Sequence, residues 1–191
     1  VAFRRDGLLA SADLKGVVKL WDIAKGAVVR ECDAKVLYKY DEGFRADIGG
    51  VRGMAFNPNG QWLACAGITE VSNAFAGVGK PLVMLFDATT GKLKHALKPK
   101  EAFQGTAWGV AIHPAGHVIA TGGGNGGALW FWSLEMGENT FTLKLPVNAR
   151  DLDMSADGTR LAIPFADGAL RVYEMSAKTS PSWWQVQPAG K

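Results

Sequence analysis

No stretch of the 191-residue chain approaches the ~18 consecutive apolar side chains that a membrane-crossing helix needs, and Val1-Ala2-Phe3-Arg4-Arg5-Asp6 lacks the basic-then-apolar run of a secretory signal. A membrane-spanning helix is excluded, and no membrane partner is expected. Cysteine is nearly absent. Cys32 and Cys65 are too few for a disulfide framework and show no CxxC spacing for zinc, so two small buried thiols are expected. Charge of one sign is also scarce: 21 basic and 18 acidic side chains are interspersed, whereas nucleic-acid binders usually carry a clustered basic face. No nucleic-acid partner is expected. The missing initiator Met suggests a processed or excised chain, which leaves localisation open.

What the chain has in quantity is glycine and tryptophan, 24 and 7 residues. Many tight turns and many large rings to bury suit an all-β fold of short strands. Internal repetition supports this reading. Val1-Ala2-Phe3-Arg4-Arg5-Asp6-Gly7, Met54-Ala55-Phe56-Asn57-Pro58-Asn59-Gly60, Val110-Ala111-Ile112-His113-Pro114-Ala115-Gly116 and Leu152-Asp153-Met154-Ser155-Ala156-Asp157-Gly158 each join a short apolar run to a Gly turn. A second apolar run follows each, as in Trp62-Leu63-Ala64-Cys65. A third ends in an aromatic and a polar residue: Trp21-Asp22, Phe86-Asp87, Trp132-Ser133 and Tyr173-Glu174. A weaker fourth run, such as Ala27 to Cys32, separates the units. Four antiparallel strands per unit of about 40 to 50 residues describe one propeller blade.

On these residues, and most closely in Val17-Val18-Lys19-Leu20-Trp21-Asp22, the chain resembles the WD-repeat β-propeller family over nearly its whole length. The resemblance implies about four blades, approximately residues 1-48, 49-104, 105-146 and 147-176, with 177-191 a tail or, through Ser182-Trp183-Trp184-Gln185-Val186, the last outer strand. Seven blades need roughly 280 to 320 residues at this period, and the first unit opens directly on its first strand. The expectation is therefore a portion of a seven- or eight-bladed ring, completed by missing blades or a protein partner. A compact four-bladed ring and a homodimer closing eight blades are the alternatives. In the family, a Gly-His pair, a Ser or Thr, a turn Asp and the Trp form a hydrogen-bonded network. Ser11 and Trp21 match it, but no Gly-His precedes a first strand and Lys15 stands where the turn Asp belongs. Blade packing should rest on apolar layers.

Motifs with possible chemistry give way to repeat architecture. Gly122-Gly123-Gly124-Asn125-Gly126-Gly127 spells GxGxxG, but a dinucleotide site needs a helix next, and Ala128-Leu129-Trp130-Phe131-Trp132 reads as strand. Asp153-x-Ser155-x-Asp157-Gly158 opens like a calcium loop, yet its twelfth position is Pro164 rather than Glu. His95 falls on an outer strand, away from His113 and His117, and no nucleophile elbow is present. Lys92, Lys94, Lys98 and Lys100 read as charges guarding a sheet edge. No cofactor, metal or catalytic residue is expected.

Two interruptions of the repeat remain. Asp33 to Gly50 separates the first and second units, and Gly67 to Pro81 separates the second and third strands of the second unit. In the family fold both emerge on one face of the disc. They carry Tyr38, Tyr40, Phe44, Arg45 and Phe75, residue types that anchor protein interfaces. The competing reading is that Val36, Leu37, Tyr38 and Phe44 pack over the blade end. The expected function is a non-enzymatic interaction scaffold with these five residues as its protein-binding surface. The runner-up is a propeller enzyme or small-ligand binder using the central channel, with Arg150, Asp151 and Asp153 as its charged candidates.

Overall fold

Apolar runs bounded by Gly turns become strands, and where both faces of a sheet are covered the runs are nearly continuous. The computed structural model describes residues 1–73, 77–177 and 184–189. Among them the first sheet holds β1 (Ala2–Phe3), β2 (Leu9–Ala12), β3 (Val17–Asp22) and β4 (Ala27–Asp33), and the second β7 (Val51–Phe56), β8 (Trp62–Asn73), β9 (Val78–Asp87) and β10 (Leu93–Leu97). The third comprises β11 (Gly105–His113), β12 (His117–Gly124), β13 (Gly126–Ser133) and β14 (Asn139–Leu145), and the fourth β15 (Asp153–Met154), β16 (Arg160–Pro164), β17 (Leu170–Ala177) and β18 (Trp184–Pro188). All pair antiparallel in chain order, so the all-β propeller-blade architecture expected from the repeats is present. A two-stranded sheet of β5 (Tyr38–Asp41) and β6 (Ala46–Gly49), preceded by a 3-10 turn over Lys35–Leu37, lies between the first and second blades.

The core lies between the sheets, in three clusters. Ala10, Val18, Leu20 and Cys32 of the first blade meet Leu63, Cys65, Met84 and Phe86 of the second. The alternate residues of that second blade, Ala64, Ala66, Val83 and Leu85, meet Val118, Ala120, Trp130 and Trp132 of the third. Ile119, Leu129 and Phe131 then face Leu161, Ile163, Tyr173 and Met175 of the fourth. The period of two thus sends successive side chains of one strand to different neighbours. On the outward faces of the first and fourth blades, Val28 and Leu170 stay exposed.

Cys32 and Cys65 are both buried and free, on either side of the first interface. Burial pushes the Cys32 thiol up to about 11 and that of Cys65 further, so neither is a thiolate at neutral pH. Polar ties cross between blades as well. Trp132 Nε1 donates to the Lys98 carbonyl at 2.8 Å, and Lys94 lies 4.8 Å from the Trp62 ring centroid while pairing with Glu135 at 3.0 Å. Lys94 is therefore not the free edge charge its spacing suggested.

The second insertion also differs from expectation. Its described residues 67–73 and 78–81 are not a loop but an extension of the β8–β9 hairpin, with Ile68 opposite Pro81 and Thr69 opposite Lys80. The pairing becomes irregular between Thr69 and Asn73, and Glu70 adopts φ +51° there while its carboxylate pairs with Lys80 and Lys98.

Candidate protein-interaction face

The Asp33–Gly50 insertion folds as a hairpin braced on the extended strand β8. Asp33 Oδ1 accepts the Lys35 N–H, starting the 3-10 turn, and Leu37 inserts fully buried into the first interblade cluster. Thr69 Oγ1 donates to the Val36 carbonyl at 2.8 Å, and Lys39 Nζ donates to the Val71 carbonyl at 3.0 Å. The two interruptions of the repeat therefore meet. At the far end Gly49, with φ +94°, leads the chain into β7, and a Cβ there would stand 2.1 Å from the Leu37 carbonyl oxygen. Only glycine fits that approach.

With Lys39 turned onto β8, Tyr38 and Tyr40 occupy the alternate positions of β5. Tyr38 donates to Asp47 at 2.6 Å, a bond that holds its phenol above the ordinary value and spends its polar handle inside the hairpin. Tyr40 and Phe44 remain 49% and 50% exposed, beside Val36 at 51%. Arg45 is exposed and takes φ +49° in the hairpin turn. Phe75 lies outside the described residues. Of the five candidates, the structure thus places four on one hairpin, with Tyr38 largely committed to internal bonding.

A second constellation lies along the first strands of the second and third blades and just before that of the fourth. Arg52, Trp108 and Arg150 each stand two residues before the first apolar residue of their repeats, Met54, Val110 and Leu152. The Arg52 guanidinium lies 5.5 Å and that of Arg150 5.7 Å from the Trp108 ring centroid. Of the three, the sequence by itself singles out Arg150.

The WD domain, G-beta repeat family model matches residues 43–68, which run from the hairpin turn through β7 into β8. A chain in the crystal structure of the mitotic checkpoint complex superposes on 97% of this chain and 51% of its own length, with a TM-score of 0.69 at 17% identity. The chain has the fold of the WD-repeat β-propellers. Eukaryotic translation initiation factor 3 subunit I of Scheffersomyces stipitis is 37% identical over 82 residues, 40% of this chain and 23% of that protein. The same subunit of Lodderomyces elongisporus is 30% identical over 95 residues, 47% of this chain and 27% of that protein. The matched stretches span about a quarter of these relatives.

The WD-repeat network survives in fragments. Trp21 Nε1 donates to Ser11 Oγ at 2.8 Å in the first repeat, whereas Asp167 of the fourth accepts the Ala169 N–H and pairs with Arg171. A histidine serves another purpose in the third. His113 Nδ1 accepts the Ala115 N–H at 3.0 Å, so its proton sits on Nε2 and is donated to the Gly158 carbonyl of the fourth repeat at 3.0 Å. Burial lowers the His113 pKa, and burial followed by the His113 charge lowers that of His117. The folded state therefore favours the neutral rings. Their contribution to stability is complete above the unfolded value of about 6.5 and declines as pH falls through it. Tm should drop between about pH 7 and pH 5, and a His113→Gln/His117→Gln chain should lose most of that slope. An unchanged slope in the double variant would assign the pH dependence to other groups.

Proposed function

We propose that this WD-repeat chain is a non-enzymatic scaffold that presents the β5–β6 hairpin to a protein partner within a multi-subunit assembly. The observation that carries the reading is the hairpin itself. A rigid insertion, bonded to β8 at both Val36 and Lys39, holds Tyr40, Phe44 and Val36 half out of the molecule. Aromatic side chains fixed in this way offer apolar area with little ordering cost on binding. The relatives named as subunits of a translation initiation factor support membership in an assembly. The outward faces of the first and fourth blades, with Val28, Leu170 and Val172 exposed, support further blades or a second protein packing there.

The test is a Tyr40→Ala/Phe44→Ala chain compared with wild type in affinity capture and titration of the captured partner. Loss of about 2 kcal/mol or more in binding is expected if these are anchor residues, with Tm changed little because both side chains are half exposed. Lys92→Ala on the β9–β10 turn should bind as wild type. Intact affinity with a Tm lowered by several degrees would make the hairpin a packed lid and end this reading.

A further inference from the structure

The structure assigns a self-modification site to Asn125, at the tip between β12 and β13: its side-chain amide is lost by attack of the Gly126 nitrogen, leaving an acid. This goes beyond the hairpin reading and uses no residue of it. The sequence holds two Asn-Gly pairs, Asn59-Gly60 and Asn125-Gly126. In such a pair the backbone nitrogen that follows the asparagine is an intramolecular nucleophile, and a glycine offers it without a Cβ in the way. After losing its proton to solvent base, the nitrogen attacks the side-chain carbonyl carbon. The new N–C bond closes a cyclic imide, and the former amide nitrogen takes up a proton and departs as ammonia. Water then opens the imide at either carbonyl, to aspartate or to isoaspartate, whose backbone runs through the side chain. Water is the sole co-reactant.

The folded chain treats the two pairs differently. Gly60 is buried, its N–H donates to the Asn57 carbonyl at 2.9 Å, and a Cβ there would collide with the Arg4 side chain. Asn59 is held as well, because its Oδ1 accepts the Gln61 N–H at 3.0 Å. Nucleophile and electrophile are both occupied. Asn125 and Gly126 are exposed, and nothing lies within 4 Å of where a Gly126 Cβ would be. The β13–β14 ladder starts only at Gly127, opposite Leu145, and among the described residues the Asn125 side chain makes no hydrogen bond. The Asn125 N–H, which takes no part in the reaction, is engaged on the Gln104 carbonyl at 3.0 Å, so the tip is anchored without immobilising the side chain. The product changes the surface. A carboxylate replaces an amide at the border of a cavity of about 650 Å³ that Lys80, Lys98 and Lys100 also line. Isoaspartate in addition lengthens the backbone at a tip tied to Gln104 and, through the Gly124 carbonyl, to Asn148.

The test incubates the full folded chain in mildly alkaline buffer, with and without urea, and follows the peptides holding Asn59 and Asn125 by mass spectrometry, with the modified residue located by fragmentation. In the folded chain Asn125 should convert from amide to acid more than about tenfold faster than Asn59, because a buried, bonded amide reacts only through local opening. In urea the two should convert at similar rates, since the protection of Asn59 belongs to the fold. The Asn125 product should be a mixture of aspartate and isoaspartate, and Asn125→Gln should abolish the early mass gain at unchanged Tm. The inference is overturned by equal rates at the two sites in the folded chain, by conversion at Asn125 only in urea, by aspartate as the sole product, which is direct hydrolysis, or by an early mass gain that persists in Asn125→Gln.

Discussion

Trp130→Ala is expected to destabilise the chain by about 3 to 5 kcal/mol, the range for deleting a large buried aromatic. At this chain length that corresponds to a Tm lower by roughly ten degrees. Trp130 is 1% exposed and stands between the second and third blades. Its ring meets Phe103 edge-on at 4.9 Å and 88°, and Trp132 lies 6.1 Å away. The neighbouring strand is shaped around it: a Cβ on Gly122 would stand 2.1 Å from the tip of the indole. Glycine there supplies no side chain to fill the void that alanine at position 130 would leave. Trp130→Phe should recover part of the loss. A calorimetric change below about 1 kcal/mol for the alanine variant would mean the blades close over the gap, contrary to a rigid interblade core.

Gly109→Ala should do comparable damage by the opposite route, adding a heavy atom rather than removing nine. The new Cβ would lie 2.2 Å from the Leu152 nitrogen and 2.5 Å from the Asp151 carbonyl carbon, both backbone atoms that cannot rotate away. Overpacking of this kind costs about 3 kcal/mol or more when the neighbour is rigid. Gly116→Ala provides the contrast, because nothing lies within 4 Å of a Cβ there and only its φ of +80° is unfavourable, at about 1 to 2 kcal/mol. Chemical denaturation should rank Gly109→Ala well below Gly116→Ala in stability. The reverse order would show that the third and fourth blades are not held in close register at their inner edges.

The architecture was legible because the local signals agree with one another. Gly7, Gly60, Gly116 and Gly158 all take positive φ in the first turn of their repeats, which is the reason that turn recurs in the sequence. Trp21, Phe86, Trp132 and Tyr173 recur because each third strand lies within its sheet, although Trp21 reaches a Ser hydroxyl and Trp132 a backbone carbonyl. The β8–β9 extension was misread because Thr69, Glu70, Ser72 and Asn73 are polar and Pro81 suggests a break. Beyond Val83, however, β10 no longer covers β9, and on such an open edge a proline costs no ladder bond. The hairpin was visible only as an aromatic-rich interruption, since nothing in Tyr38 itself announces that Asp47 will accept a hydrogen bond from its hydroxyl. Arg52, Trp108 and Arg150 were hidden for a different reason. Their relation exists only after three repeats are superposed, and no local window contains more than one of them.

All three apolar clusters lie between sheets, so no single sheet carries a core of its own, and the smallest unit able to unfold cooperatively is a pair of neighbours. Energetically the molecule behaves as a short row of coupled elements in which the interior members have two couplings and the outer members one. Opening should therefore be graded along the row: backbone amides of β8, β9, β12 and β13 exchange with solvent last, while those of β2 and β16 follow the looser fluctuations of the ends. Whatever binds the outward face of the first or fourth sheet then supplies a missing coupling, and its effect reaches inward as slower exchange in strands it never touches.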